Sequence, residues 1–449
     1  MNFNIEIPNS AQVVLNILNE NNYEAYIVGG CVRDALLGLT PHDWDICTSA
    51  TPEQMLECFK NYKTIETGLK HGTITVLVDN EPFEVTTYRI DGKYSDNRHP
   101  DEVVFVTDLK KDLSRRDITI NAMAYNPVNG LIDYFNGLED LKNQTIRCVG
   151  NPDNRFNEDA LRIMRVLRFA STYGFNIDAK TSDSLNRNKK LLHNIAVERI
   201  QKELCRLIAG KGAEQILLDY KEIIGEIIPE LQLCFNFEQN NKHHIYDVYT
   251  HMIKALSSYK GNDVYVTLAL FLHDIGKPHC YFENETGGHF NGHGVVSYDI
   301  VKDILTKMKF DNETIKTVSE LVLYHDSNIV PEKRAIRRWL NKIGETQFRR
   351  LLEVRQCDIL AHSKTHQSVN LETLNSIYVA LGNVIAEDSC FQIKDLDING
   401  NDLIAIGIPQ GPEIGNLLNY LLELIIDEKI ENKKDILLQT VLQHFQQEH

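Results

Sequence analysis

Val28-Gly29-Gly30-Cys31-Val32-Arg33-Asp34 is followed shortly by His42-Asp43-Trp44-Asp45-Ile46. The apolar residues 26–28 predict a strand that ends in two glycines, and residues 32–37 predict a short helix. Glycines let a phosphate approach the backbone, and a helix N-terminus beyond them favours negative charge. Asp43 and Asp45 then stand two apart in another short apolar segment. In a strand, residues i and i+2 share a face. Two carboxylates on one face, near a phosphate cradle, suit paired Mg²⁺ ions and nucleotidyl transfer. Asp-x-Asp alone is common by chance, and Gly-Gly alone usually marks a turn. The two in this order carry the reading.

With these motifs the chain resembles the class II tRNA nucleotidyltransferases, the CCA-adding enzymes and their relatives the bacterial poly(A) polymerases. Arg115-Arg116-Asp117-Ile118-Thr119-Ile120-Asn121-Ala122 and Glu158-Asp159-Ala160-Leu161-Arg162 extend the likeness over the first half of the chain. The resemblance implies that Asp43 and Asp45 hold Mg²⁺, activate the 3′-hydroxyl of a tRNA and neutralise the incoming CTP or ATP. It implies nucleotide contacts from Gly29, Gly30, Arg33 and Arg116, and Glu84 is a candidate third carboxylate beside a plain salt-bridge role. In such a reaction positioning and charge neutralisation carry the rate. The polar stretch 89–100, with Gly92 and Pro100, reads as a loop. It resembles the family's flexible loop, tied to the switch from adding C to adding A, and so favours full CCA addition. The alternatives are a poly(A) polymerase or an enzyme that adds only A.

Asp159, Arg162, Arg165 and Arg168 recur every three residues, along one side of a predicted helix. Cytosine and adenine each present an amino donor beside a ring-nitrogen acceptor, whereas G and U reverse that order. A carboxylate accepting from the amino group and a guanidinium donating to the ring nitrogen would read both. Asp159 and Arg162 are that pair, with Arg165 and Arg168 holding phosphates or the nucleotide from below. The plainer reading is a surface Asp–Arg salt bridge.

A second chemistry-bearing segment runs from His251, through Leu272-His273-Asp274-Ile275-Gly276-Lys277, to His293, His325 and Asp358. It resembles the HD superfamily of metal-dependent phosphohydrolases. His251, His273, Asp274 and Asp358 would ring one divalent ion, and their mixed N/O set favours a transition metal over Mg²⁺. The alternatives are a helical spacer with an idle site, or a hydrolase whose head only binds RNA. Towards the end, residues 395–403 and 407–415 resemble the family's C-terminal segment, which in relatives grips the tRNA elbow; Gly411-Pro412 marks the start of a helix.

These readings predict an α+β fold in four parts across the 449 residues. A small mixed-sheet nucleotidyltransferase head with a polymerase-beta-like palm spans 1–150, and a helical neck and body with the base-reading helix spans 151–235. A helical HD domain spans 240–370, and a helical tRNA-binding tail spans 385–449. The polar run 236–242 reads as a boundary, and 372–388 as another boundary or a helix. Nine cysteines without Cys-x-x-Cys spacing predict reduced thiols and a cytoplasmic protein. No run is long and apolar enough for a membrane span, and the start lacks the pattern of a signal peptide. A net charge of −16 is unusual for an RNA binder, but basic clusters at 110–116 and 162–168 supply local positive surface. Lys189-Lys190 reads as a solvated face, and the oligomeric state is not legible.

Overall fold

A computed structural model describes residues 5–92, 103–241, 244–285, 287–387 and 391–448. It divides into two units, Met1–Gln232 and Leu233–His449.

In the first unit, alternation of buried and half-exposed residues marks the strands. Thr73–Val78 inserts its even-numbered residues into the core while its odd-numbered ones stay part-exposed, the period of two expected of a half-buried strand. Seven strands form one sheet: β1 (Ala25–Val28), β2 (Ile46–Thr48), β3 (Lys63–Ile65), β4 (Thr73–Val78), β5 (Glu81–Thr87), β8 (Met123–Asn126) and β9 (Gly130–Asp133). A separate pair, β6 (Arg89–Asp91) and β7 (Val103–Phe105), stands beside them. The order in the sheet is β3-β4-β5-β2-β1-β8-β9. β2 runs parallel to β5, and every other pairing is antiparallel, so the sheet is mixed as expected. Buried on both faces, β1 lies between β2 and β8. The β2–β5 pairing sets Ile46 opposite Val85 and so brings Asp45 beside Glu84.

Three local expectations are adjusted. Asp43 and Asp45 lie just before β2, not within a strand, although the Asp45 carbonyl still accepts from the Val28 N–H at 3.0 Å. Arg89–Asp91, expected to open a loop, is the strand β6; residues 93–100 of that loop lie outside the described residues. Residues 372–386 belong to the helix Lys364–Ala386, so helix prevails over boundary there.

From Pro152 the first unit is almost wholly helical. The helix Leu161–Tyr173 stops at Gly174, whose φ of 66° is left-handed and suits a residue without Cβ. It packs against the helix Val197–Ile208.

Among its described residues the second unit is helical apart from one hairpin, Phe282–Asn284 with Gly287–His289. The helix Val264–Leu272 is apolar all round and almost wholly buried, as a central helix must be. Val248–Ser258 and Glu345–Ala361 pack against it. The chain's end has its own apolar cluster, with Leu403, Leu421, Ile426, Leu437 and Val441 fully buried.

Candidate active site and a second polar cluster

Gly29 sits at the end of β1 with φ 85°, a conformation that disfavours side chains. A Cβ there would fall 2.7 Å from the Arg116 guanidinium, so the missing side chain is what admits Arg116 to the turn. The Arg33 guanidinium, above Gly30, is buried and pairs with Asp34 at 2.9 Å. It donates to Asn121 and lies 5.2 Å and 5.0 Å from the rings of Phe169 and Tyr173. Two cations therefore flank the glycine turn, each held by neighbours.

Beside them the carboxylates gather. Burial, then the charges of Asp43 and Glu84, push the Asp45 carboxyl up to about 6, while Arg116 opposes the rise. Three acids crowded in this way create a demand for positive charge, which a divalent ion meets. Among the described residues, the groups of three or more ligand atoms converging within 4.8 Å lie in the second unit, and the head trio is not among them.

The four residues of the base-reading proposal are each already engaged. Asp159 accepts from the Leu161 N–H at 3.0 Å and pairs with Arg199 at 3.1 Å. Arg162 pairs with Glu158 at 2.5 Å and donates to the Arg115 carbonyl at 2.9 Å. Asp159 does not lie on the helix of Arg162 as expected: it is the extended residue between the helices Pro152–Glu158 and Leu161–Tyr173, and each of the two has its own partner. Arg165 holds Asp117 at 2.6 Å, and despite burial this pairing, with Arg162 nearby, keeps the Asp117 carboxyl far below the ordinary range. Arg168 is paired with Glu203 at 2.5 Å, both side chains being nearly buried. Sequence reasoning missed Glu158, Arg199 and Glu203 as partners. Only Glu158 was within reach of a spacing argument, four residues before Arg162. Lys190 is exposed, as a solvated face requires, but Lys189 is half-buried and lies 3.5 Å from part-buried Glu226 and 3.7 Å from exposed Glu222.

In the second unit the structure brings His251, His273, Asp274 and Asp358 together from three helical segments. His251 Nε2 lies 2.8 Å from Asp358 Oδ1 and 3.5 Å from Asp274 Oδ2. His273 Nε2 lies 3.3 Å from Asp274 Oδ2 and 3.5 Å from Asp358 Oδ1. All but Asp358 are at most 1 % exposed, and Asp274 and Asp358 line a cavity. Burial pulls His251 down to about 4; against its own burial, His273 is held up at about 10 by Asp274 and Asp358. Both Asp274 oxygens are buried and accept no hydrogen bond, although Lys277 Nζ approaches one to 2.7 Å. An unsatisfied buried carboxylate ringed by imidazoles fits a divalent transition ion.

Three family profiles match the chain. One, described as the poly A polymerase head domain, covers residues 25–147. Another, described as "Probable RNA and SrmB- binding site of polymerase A", covers 174–234. The third, for a tRNA nucleotidyltransferase domain 2, covers 295–441. A protein of Lactobacillus helveticus named CCA-adding enzyme is 34% identical over 430 residues, 95% of this chain and 94% of that one. One from Enterococcus faecalis, with the same name, is 49% identical over 219 residues, 48% of this chain and 53% of its own. Among solved structures, the Bacillus stearothermophilus CCA-adding enzyme in complex with CTP is 26% identical, with a TM-score of 0.69 over 98% of both chains. Among the described residues, no helix is long and apolar enough to cross a membrane.

Proposed function

Because this chain belongs to the CCA-adding enzymes, we propose that it adds C, C and A in turn to the 3′ end of tRNA, taking CTP and ATP and using no nucleic-acid template. The observation that carries the assignment of roles is the crowding of Asp43, Asp45 and Glu84 beside a glycine turn flanked by Arg33 and Arg116. Asp43 and Asp45 would hold Mg²⁺, with Glu84 as a third acid. When bound, the ions supply charge neutralisation at the reacting phosphate. This chain's own part is positional. Gly29 and Gly30 leave room for the triphosphate against the backbone, and Arg33 and Arg116 pair with its oxygens. The tRNA 3′-oxygen bonds to the α-phosphorus, the bond to the β-phosphate oxygen breaks, and pyrophosphate leaves. Asp159 and Arg162 read the amino group and ring nitrogen of the base. To do so each exchanges its present partner, Arg199 or Glu158, for the nucleotide.

A poly(A) polymerase shares the head, but the profile over 295–441 and the relatives aligned nearly end to end favour CCA addition. The test is direct. The purified protein is incubated with tRNA ending at the discriminator base and with CTP, ATP or both, and the ends are sequenced. Ends of CC with CTP alone and CCA with both support the reading; long A tracts or A alone overturn it.

The second unit carries a further reading. His251, His273, Asp274 and Asp358 hold a transition ion and hydrolyse phosphate esters, independently of the head. Their convergence within one ion's reach, with Asp274 unsatisfied, supports it.

A further inference from the structure

Tyr173 has no role in the reaction described above, yet it closes the helix that carries Arg162. Its hydroxyl donates to Asp34 Oδ1 at 3.0 Å, on the distant helix Gly30–Leu36. Asp34 in turn grips one edge of the Arg33 guanidinium, accepting from Nε at 2.9 Å and from Nη2 at 3.0 Å. Asn121 accepts from Nη1. These contacts fix where the guanidinium points. Nη2 and Nη1 lie 3.4 Å and 3.9 Å from the place a Cβ on Gly30 would take. The end of the fork therefore faces the space that Gly30 leaves. A guanidinium carries five N–H donors, so with its Nε–Nη2 edge committed it can still offer the Nη1–Nη2 edge to an oxyanion. The face of Arg33 is held as well. Its Cζ lies 5.0 Å from the centre of the Tyr173 ring and 5.2 Å from that of Phe169, both within cation–π range. Phe169 stands four residues before Tyr173, so the two share a side of the helix, and their rings are within 7° of parallel. Burial, reinforced by Asp34 and opposed by Arg33, pushes the Tyr173 hydroxyl up to about 12, so the phenol remains a donor. The Asp34 side chain is 21% exposed, so without that donor water competes for it.

We infer that Tyr173 is a positioning residue for the nucleotide's triphosphate: through Asp34 and through its own ring it aims the Arg33 fork over Gly30. One helix, Leu161–Tyr173, then serves both ends of the nucleotide, with Arg162 near its start and Tyr173 at its end. The inference rests on the reading of Arg33 as a triphosphate contact and adds the residue that aims it. Tyr173 itself touches no substrate atom. Its effect is on binding that the ground state and the transition state share, which shows in KM and not in kcat. Because Arg33 meets phosphate and not base, loss of Tyr173 should weaken CTP and ATP alike. A polyphosphate with no base should be weakened by the same factor.

In the full-length protein, CTP incorporation is measured on tRNA ending at the discriminator base and ATP incorporation on tRNA ending in CC. Inorganic tripolyphosphate is the competitor in both. Tyr173→Phe keeps the ring and removes only the hydroxyl. It should raise KM for CTP and for ATP about 5- to 20-fold and raise the tripolyphosphate Ki by the same factor. kcat should stay within about 2-fold and Tm within about 2 °C of the native values. Asp34→Asn should raise KM in the same way, and the double variant should be no worse than Asp34→Asn alone, because the hydroxyl acts through that carboxylate. Multiplying effects in the double variant would overturn that route. A fall in kcat and Tm at constant KM would make Tyr173 a packing residue and overturn the inference. So would a loss confined to CTP or to ATP, which would put Tyr173 at the base. Arg33→Gln separates the inference from the reading beneath it. If Arg33→Gln raises the tripolyphosphate Ki and Tyr173→Phe does not, the role of Tyr173 is overturned and that of Arg33 stands. If neither changes it, both are overturned.

Discussion

At Asp45, burial and the neighbouring acids push the carboxyl up to about 6. The folded chain therefore holds this proton more tightly than the unfolded chain, so without a cation stability falls as pH rises from the ordinary carboxylate range through about 6. Asp45→Asn removes the crowded charge. It should raise the metal-free stability at pH 7.5 by about 1–3 kcal/mol, read as denaturation midpoint, while abolishing incorporation of both CTP and ATP. For the native chain, the rise in Tm on adding Mg²⁺ should shrink as pH falls through about 6, because a protonated Asp45 is a poor ligand. A Mg²⁺ effect that is flat from pH 5 to 8 would remove Asp45 from the metal site. Arg168 is the contrasting residue. Its spacing suggests a nucleotide contact, yet it is tied to nearly buried Glu203. Arg168→Ala should lower stability by about 3–5 kcal/mol by stranding that acid, a loss measurable by thermal melting.

Among the elements, the helix Leu161–Tyr173 shows what sequence conveys and what it withholds. The periodicity and Gly174 define it, and the three-residue spacing puts Arg162, Arg165 and Arg168 in sequence along it, while Asp159 stands just before its start. Their partners come from other segments, at 117, 199 and 203, and local spacing holds no record of such pairings. For the same reason His251, His273, Asp274 and Asp358 were identified through an ordered motif, while His293 and His325 carried no assignment until the fold set them on Asp274. Asp43 and Asp45 stand before β2 and not in a strand, yet the Asp45 carbonyl still accepts from the Val28 N–H of β1. Substituting Asp159 or Arg162 with Ala leaves half of the base edge unpaired, a loss of about 1–3 kcal/mol. UTP and GTP should then compete roughly 10- to 100-fold better in a mixed-nucleotide assay. Unchanged discrimination in both variants would end the base-reading role.

For the whole molecule, the head's acids lie in Met1–Gln232 and the histidine-rich cluster in Leu233–His449. His273→Ala with Asp274→Ala should therefore leave CCA addition in Mg²⁺ within about 2-fold of the native rate, since the two centres share no ligand. A proportional loss of both activities would show that they are coupled. The sheet order has a consequence for how the protein is made. Strand β1 is apolar and buried, but its neighbour β8 begins only at Met123. A ribosome adding about 5–20 residues per second needs roughly 5–20 s to synthesise the stretch between them. During that interval the nascent chain carries an uncovered apolar edge, the kind of surface to which chaperones bind and from which aggregates begin. Chains arrested before β8 emerges should be cleaved readily by protease, and chains arrested well beyond β9 should resist it. The catalytic head would then be complete while the C-terminal unit is still unmade.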